Sequence, residues 1–144
     1  MFETNPLVSV IVTSYNQIKT ISQTLDSILA QNFDHSFEII IGDDHSCDDS
    51  IKICNKYQRD FPDIIVTSYN DENIGIAANF AKCVKKARGK YIAICAADDY
   101  WHNPTKLKIQ VNYFENRPEV GLIYTDYDKL NINTGKIHKN YLST

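Results

Sequence analysis

Five glycines among 144 residues leave the chain without the loops on which several enzyme classes depend. No GxGxxG follows the first apolar run, no GxxxxGK precedes a Ser or Thr, and no GxSxG elbow occurs. A dinucleotide fingerprint, a P-loop and a serine-hydrolase turn are thereby excluded. The four cysteines, Cys47, Cys54, Cys83 and Cys95, form no CxxC pair, and His35, His45, His102 and His138 lie at no zinc-finger offset. The thiols are expected inside, as small hydrophobes in a reducing compartment. Long apolar runs are missing too. The stretch from Leu7 to Val12 is broken by Ser9, far short of the roughly 20 residues that cross a bilayer, so no transmembrane span is expected. Positive charge is also scarce, with 15 Lys and Arg against 18 Asp and Glu, and no basic stripe interleaves with aromatics. Nucleic acid is therefore a poor partner. Met1 to Pro6 carries Glu3 and no basic segment, which argues against a secretory leader and for a cytosolic location.

What is present is an ordinary globular composition, 43% hydrophobic and 23% charged, at a length that suits one domain over 1–144. Five segments rich in β-branched and aromatic residues recur along it: Val8 to Ser14, Phe37 to Gly42, Ile64 to Tyr69, Tyr91 to Ala96 and Gly121 to Tyr127. Most are continuously apolar, as in parallel strands covered by helices on both faces. Helical patterns fill the gaps. Ile18, Ile21, Leu25 and Ile28 share a face, with Asn16 as a cap. Ser46 and Asp49 have capping-box spacing ahead of Ile53, Tyr57 and Phe61. Phe80, Val84 and Ala87 form a third stripe beside Lys82, Lys85, Lys86 and Arg88, before Gly89. Asn103-Pro104 opens a fourth helix carrying Leu107, Val111 and Phe114. The expected class is α/β with alternating strands and helices, and Asn133-Thr134-Gly135 marks a turn that begins a hairpin or a connection.

The strand ends carry the chemistry. The strands lead into Tyr15-Asn16, Asp43-Asp44, Asn70-Asp71, Asp98-Asp99 and Asp126-Tyr127-Asp128. In an open parallel sheet all carboxyl ends share one edge, and ligands bind in the crevice outside it. The acids are expected to converge there, and gathered carboxylates call for a cation. Oxygen ligands favour Mg²⁺ or Mn²⁺, ions that bridge carboxylates to a diphosphate.

Four motifs in order, V-S-V-I-V-T-S-Y-N at Val8 to Asn16, F-E-I-I-I-G-D-D-H-S-C-D-D-S at Phe37 to Ser50, N-I-G-I-A-A-N-F at Asn73 to Phe80 and G-K-Y-I-A-I-C-A-A-D-D-Y-W at Gly89 to Trp101, make the chain resemble the family 2 glycosyltransferases. The resemblance implies a GT-A fold, a three-layer sandwich whose mostly parallel sheet forms a Rossmann-like nucleotide-binding half. It further implies an inverting transferase that takes a UDP-sugar with Mn²⁺ or Mg²⁺ and delivers the sugar to a saccharide or lipid-linked saccharide, as in bacterial polysaccharide biosynthesis. In that family pattern Thr13, Tyr15 and Asn16 lie against base and ribose, and Asp44 accepts the uracil ring N–H. Asn79 faces the nucleotide, Asp98 the ribose, and Asp99 holds the metal. Tyr100, Trp101 and His102 are candidates for a sugar or acceptor rim, with packing of Trp101 against the fourth helix as the alternative.

Two positions depart from the pattern. Ala96 stands where many relatives have another Asp, and Ala78 where many have Arg. The family's general base follows a further strand and loop, past Thr144, so the chain is expected to be truncated at its carboxyl end. The competing readings are a nucleotidyltransferase, a noncatalytic binding module and a phosphoacceptor receiver domain. The first lacks its glycine-rich loop here, and the last is imitated only loosely by Tyr69-Asn70-Asp71 and Tyr127-Asp128-Lys129.

Overall fold

The computed structural model describes residues 5–140. Strands and helices alternate as β1 (Val8–Ser14), α1 (Ile21–Leu29), β2 (Phe37–Asp43), α2 (Ser50–Asp60), β3 (Ile65–Tyr69), α3 (Ile76–Val84), β4 (Tyr91–Ile94) and α4 (Lys106–Glu115). The four strands form one parallel sheet in the order β3-β2-β1-β4. From β1 the chain runs outward through β2 and β3, then returns to place β4 on β1's other side. That reversal is the point at which α/β sheets bind ligands.

Why these strands are continuously apolar follows from what covers them. Val8, Val10, Val12, Ile39 and Ile41 pack with Ile21, Leu25 and Ile28 of α1, Cys54 of α2, and Leu107 and Val111 of α4. Ile11 and Ile40 face the other way, against Cys83, Phe80 and Val84 of α3. The sheet is the middle of three layers, and each fully buried Ile or Leu contributes about 1.5–3 kcal/mol relative to exposure. At the amino edge, Ser9 Oγ donates to Glu38 Oε1 at 2.6 Å, and Arg88 reaches Glu38 through its backbone amide, Nε and Nη2. Burial raises the Glu38 carboxyl, but these hydrogen bonds and the Arg88 charge together hold it below its ordinary value. Gly89 is required here, because a Cβ would stand 2.5 Å from the Ser9 backbone nitrogen.

Packing divides the chain into a unit ending at Val111 and a second beginning at Asn112. The second holds the end of α4 and an antiparallel hairpin, β5 (Lys129–Leu130) with β6 (Ile137–His138). Asn131 Oδ1 accepts from the amides of Asn133 and Thr134, and Gly135 takes φ 68°, so the Asn133-Thr134-Gly135 signal does mark a hairpin turn.

Several sequence expectations need correction. Gly121 to Tyr127 is no strand: Leu122 and Tyr124 are 78% and 79% exposed. Its side-chain pattern suits a strand, but a strand also needs a ladder partner, which periodicity cannot supply. Asn16 does not cap α1. The helix starts at Ile21, leaving Ile18 outside it and 42% exposed. Ser46 and Asp49 form no capping box, because Asp43 takes the Ser46 hydroxyl at 2.6 Å and Asp49 makes no side-chain cap bond. Three thiols are buried as expected, and burial pushes Cys54 and Cys95 up to about 12; Cys47 is exposed.

Candidate functional site

Successive carbonyls of a strand point to opposite neighbours, and β1 uses two of them at its carboxyl end. Ser14 O accepts from the Asp44 amide at 2.9 Å, and Thr13 O accepts from the Ala97 amide at 3.0 Å. The loop after β2 and the loop after β4 therefore flank the tip of β1 at the same edge of the sheet. That geometry brings Asp44 and the Asp98-Asp99 pair to one border of the fold.

Asp44 is 3% exposed. Its Oδ1 accepts from Asn70 Nδ2 at 2.9 Å and the Ile74 amide at 2.9 Å, and its Oδ2 from the Gly75 amide at 2.8 Å. Burial alone raises this carboxyl, yet the donors from Ile74, Asn70 and Gly75 outweigh it and hold Asp44 below its ordinary value. A carboxylate has about four acceptor positions, so Oδ2 retains one. Gly75 turns the chain into α3 at φ 85°, a conformation that favours glycine. Asn79, 1% exposed, donates to Gly42 O at 2.8 Å and accepts from Asn70 at 3.1 Å. It stands behind Asp44 as part of its support. Gly42 makes room for it, since a Cβ there would collide with Cys83 Sγ and the Asn79 amide.

The β1–α1 loop is stapled to the β2–α2 loop. Asn16 adopts φ 54°; its amide donates to Ser46 Oγ at 2.8 Å, and its Oδ1 accepts from the Cys47 amide at 2.9 Å. Gln17 N and Ile18 N donate to Ser50 Oγ and Asp48 Oδ2. Tyr15, which precedes these ties, stays 48% exposed, while Thr13 is half-buried at the end of β1.

Asp98 and Asp99 are exposed. Burial, and then the neighbouring Asp98 charge, raise the Asp99 carboxyl above its ordinary value. Two adjacent oxygen donors that repel each other fit a hard divalent cation. The broader convergence does not occur: among the described residues no three His, Cys, Asp or Glu side chains gather where they could hold a metal ion. Asp43 is engaged through both oxygens by Ser46, and Asp44 by its three donors. Asp43 and Asp44 are therefore not drawn into a metal cluster with Asp98 and Asp99.

The sequence model of the family described as Glycosyl transferase family 2 matches residues 9–143. The chain belongs to glycosyl transferase family 2. A protein of Mycobacterium tuberculosis is 38% identical over 116 residues, covering 81% of this chain and 34% of its own length. The UDP-Glc:alpha-D-GlcNAc-diphosphoundecaprenol beta-1,3-glucosyltransferase WfaP of Escherichia coli is 37% identical over 121 residues, covering 84% and 46%. Among solved structures, the mannosyltransferase PcManGT from Pyrobaculum calidifontis, in complex with GDP-Man and Mn²⁺, superposes with a TM-score of 0.71 at 25% identity, covering 78% of this chain and 33% of that one. The chain thus spans less than half the length of each of these relatives, and the GT-A fold is shared with a solved glycosyltransferase.

For this family 2 chain, sequence reading missed the residues that hold the acid loop. α1 presents Thr24 and Ser27 to it, and Gln31 follows just past the helix end. Thr24 Oγ1 lies 2.6 Å from Asp99 O and 3.0 Å from Ala97 O. Ser27 Oγ accepts from the Trp101 amide at 3.0 Å; Gln31 donates to Asn103 O at 2.9 Å and accepts from the Leu107 amide at 3.1 Å. The signal was legible: polar residues at spacings of three and four, next to the apolar stripe of a buried helix, need partners. Of the proposed rim, Tyr100 is 40% exposed and His102 exposed, whereas Trp101 packs against the core with the Lys106 ammonium 5.4 Å from its ring centroid.

Proposed function

We propose that the chain binds a uridine-diphosphate sugar together with Mn²⁺ or Mg²⁺ and serves its transfer, with inversion, to the hydroxyl of a saccharide or lipid-linked saccharide. One observation carries the reading: adjacent β1 carbonyls hold a buried carboxylate with a spare acceptor position on one side and an exposed acid pair on the other. Asp44 then accepts the ring N–H of the base, and a base that offers an acceptor at that edge leaves two lone pairs facing each other. Thr13, Tyr15 and Asn16 border base and ribose, Asp98 the ribose hydroxyls, and Asp99 the cation. The metal, when bound, offsets negative charge on the departing diphosphate. The attacking hydroxyl needs a general base, a role we assign to none of residues 5–140.

WfaP is named for UDP-Glc as donor and a diphosphoundecaprenol-linked GlcNAc as acceptor, and PcManGT's complex pairs a nucleotide sugar with Mn²⁺; both support this donor chemistry. Isothermal titration of the 144-residue chain with UDP, with and without Mn²⁺, tests it. Binding is expected to be tighter with the metal, and Asp99→Ala to hold UDP at the metal-free affinity whether or not Mn²⁺ is added. Equal UDP affinity with and without Mn²⁺ in the parent chain refutes the metal role.

A further inference from the structure

Lys82 belongs to the basic run of α3, yet its ammonium is committed. It donates to Tyr69 O at 3.0 Å and to Asn70 Oδ1 at 2.6 Å. An ammonium only donates, so the Asn70 amide must turn its oxygen toward Lys82 and its NH₂ inward. Both inward hydrogens find acceptors, Asp44 Oδ1 at 2.9 Å and Asn79 Oδ1 at 3.1 Å. Asn79 must then turn its own NH₂ to Gly42 O, at 2.8 Å. The cation thus reinforces the orientation that the acceptor-only Asp44 carboxylate and Gly42 carbonyl ask of the two buried amides, and a reversed Asn70 would set its oxygen against Asp44.

We propose that Lys82 is a positioning residue for base recognition: acting through Asn70, it keeps Asp44 an ionised acceptor and so favours nucleobases with a ring N–H, such as uracil, over cytosine. The inference rests on the base-reading role of Asp44. Its physical content is that an Asn can present either end of its amide, and only a partner of fixed polarity removes the choice. Lys82 is a partner whose polarity never changes, whereas Asp44 accepts only while ionised; with Lys82 in place a protonated Asp44 would find no turned Asn70 oxygen to receive its proton.

The test uses the parent chain and the variants Lys82→Met, Lys82→Arg and Asp44→Asn, with affinities for UDP, CDP and uridine measured at one Mn²⁺ concentration and ionic strength. Lys82→Met is expected to weaken UDP and uridine by a common factor of roughly tenfold, the scale of one hydrogen bond to a charged group. The preference for UDP over CDP narrows with it, and Lys82→Arg, still a pure donor, restores both. If Lys82→Met weakens UDP but leaves uridine unchanged, the lysine acts on phosphate charge and the proposal is overturned. It is equally overturned if Lys82→Met changes nothing while Asp44→Asn abolishes UDP binding. Should Asp44→Asn keep both UDP affinity and the preference over CDP, the base-reading role itself fails, an outcome separable from the other two.

Discussion

Replacing Thr24 by Val removes one hydroxyl at nearly constant volume from a site where the structure gives it a definite task. Thr24 Oγ1 lies among the carbonyls of Thr20, Ala97 and Asp99, at 3.3, 3.0 and 2.6 Å. It has a single hydrogen to give, directed best to Asp99, so one bond is lost; the Ala97 residue beside it is 1% exposed. Losing a part-buried hydrogen bond costs about 0.5–1.5 kcal/mol, which for a chain of this size lowers Tm by roughly 2–5 °C. A purely structural bond stops there. If Thr24 also holds the turn that aims Asp98 and Asp99, Mn²⁺ affinity falls roughly tenfold, the lower end of the effect of losing outer-shell support at a metal site. Differential scanning fluorimetry reports the first quantity and Mn²⁺ titration followed by electron paramagnetic resonance the second. Thr24→Ser, which keeps the hydroxyl, should recover metal affinity. A Val variant that melts early but binds Mn²⁺ like the parent refutes the link between α1 and the acid pair.

Further outcomes concern mainly the opposite edge. Glu38→Gln breaks a buried ion pair whose Arg88 partner is half-exposed, and should destabilise the fold by about 2–3 kcal/mol at neutral pH without changing UDP affinity; urea unfolding and titration measure the two separately. Because the folded Glu38 and Asp44 carboxyls lie below their ordinary values, the stability they contribute is complete above the unfolded values and is lost as pH falls through the lowered folded ones. The Tm of the parent chain should therefore drop on acidification, and that of Glu38→Gln should drop less steeply; parallel curves would contradict the assignment. Gly89→Ala forces a methyl against the Ser9 backbone and should cost about 2–3 kcal/mol, read from the urea midpoint.

β1 and β2 were readable because burial on both faces makes each a short apolar block, whereas β3 and β4 showed through their β-branched and aromatic content even though Ile92 and Ile94 stay exposed. α1 was readable for its stripe and misplaced at its start, since Asn16 has the composition of a cap but is bound to Cys47 of another loop. Such a tie between residues 31 apart leaves no local trace. Gly121 to Tyr127 failed for the reason given by pairing, which no window of sequence contains. At the site, the acid pairs were found by their position after strands, but their fates differ. Asp98 and Asp99 stay open, while Asp43 is engaged at both oxygens by Ser46 and Asp44 by three donors that leave one position on Oδ2, an arrangement that only the fold assembles. Lys82 looked like one charge in a solvated row, and its neighbours Lys85 and Lys86 share its composition but not its contact with Asn70.

That Thr13 and Ser14 are covalent neighbours has a mechanical consequence. The two loops they hold lie on opposite flanks of β1, and their anchor points are offset along it by a single residue, about 3.3 Å of strand rise. An added residue in β1 would therefore shift the Asp44 loop and the Asp98-Asp99 loop relative to each other, so the two halves of the proposed site stand or fall on one strand's register.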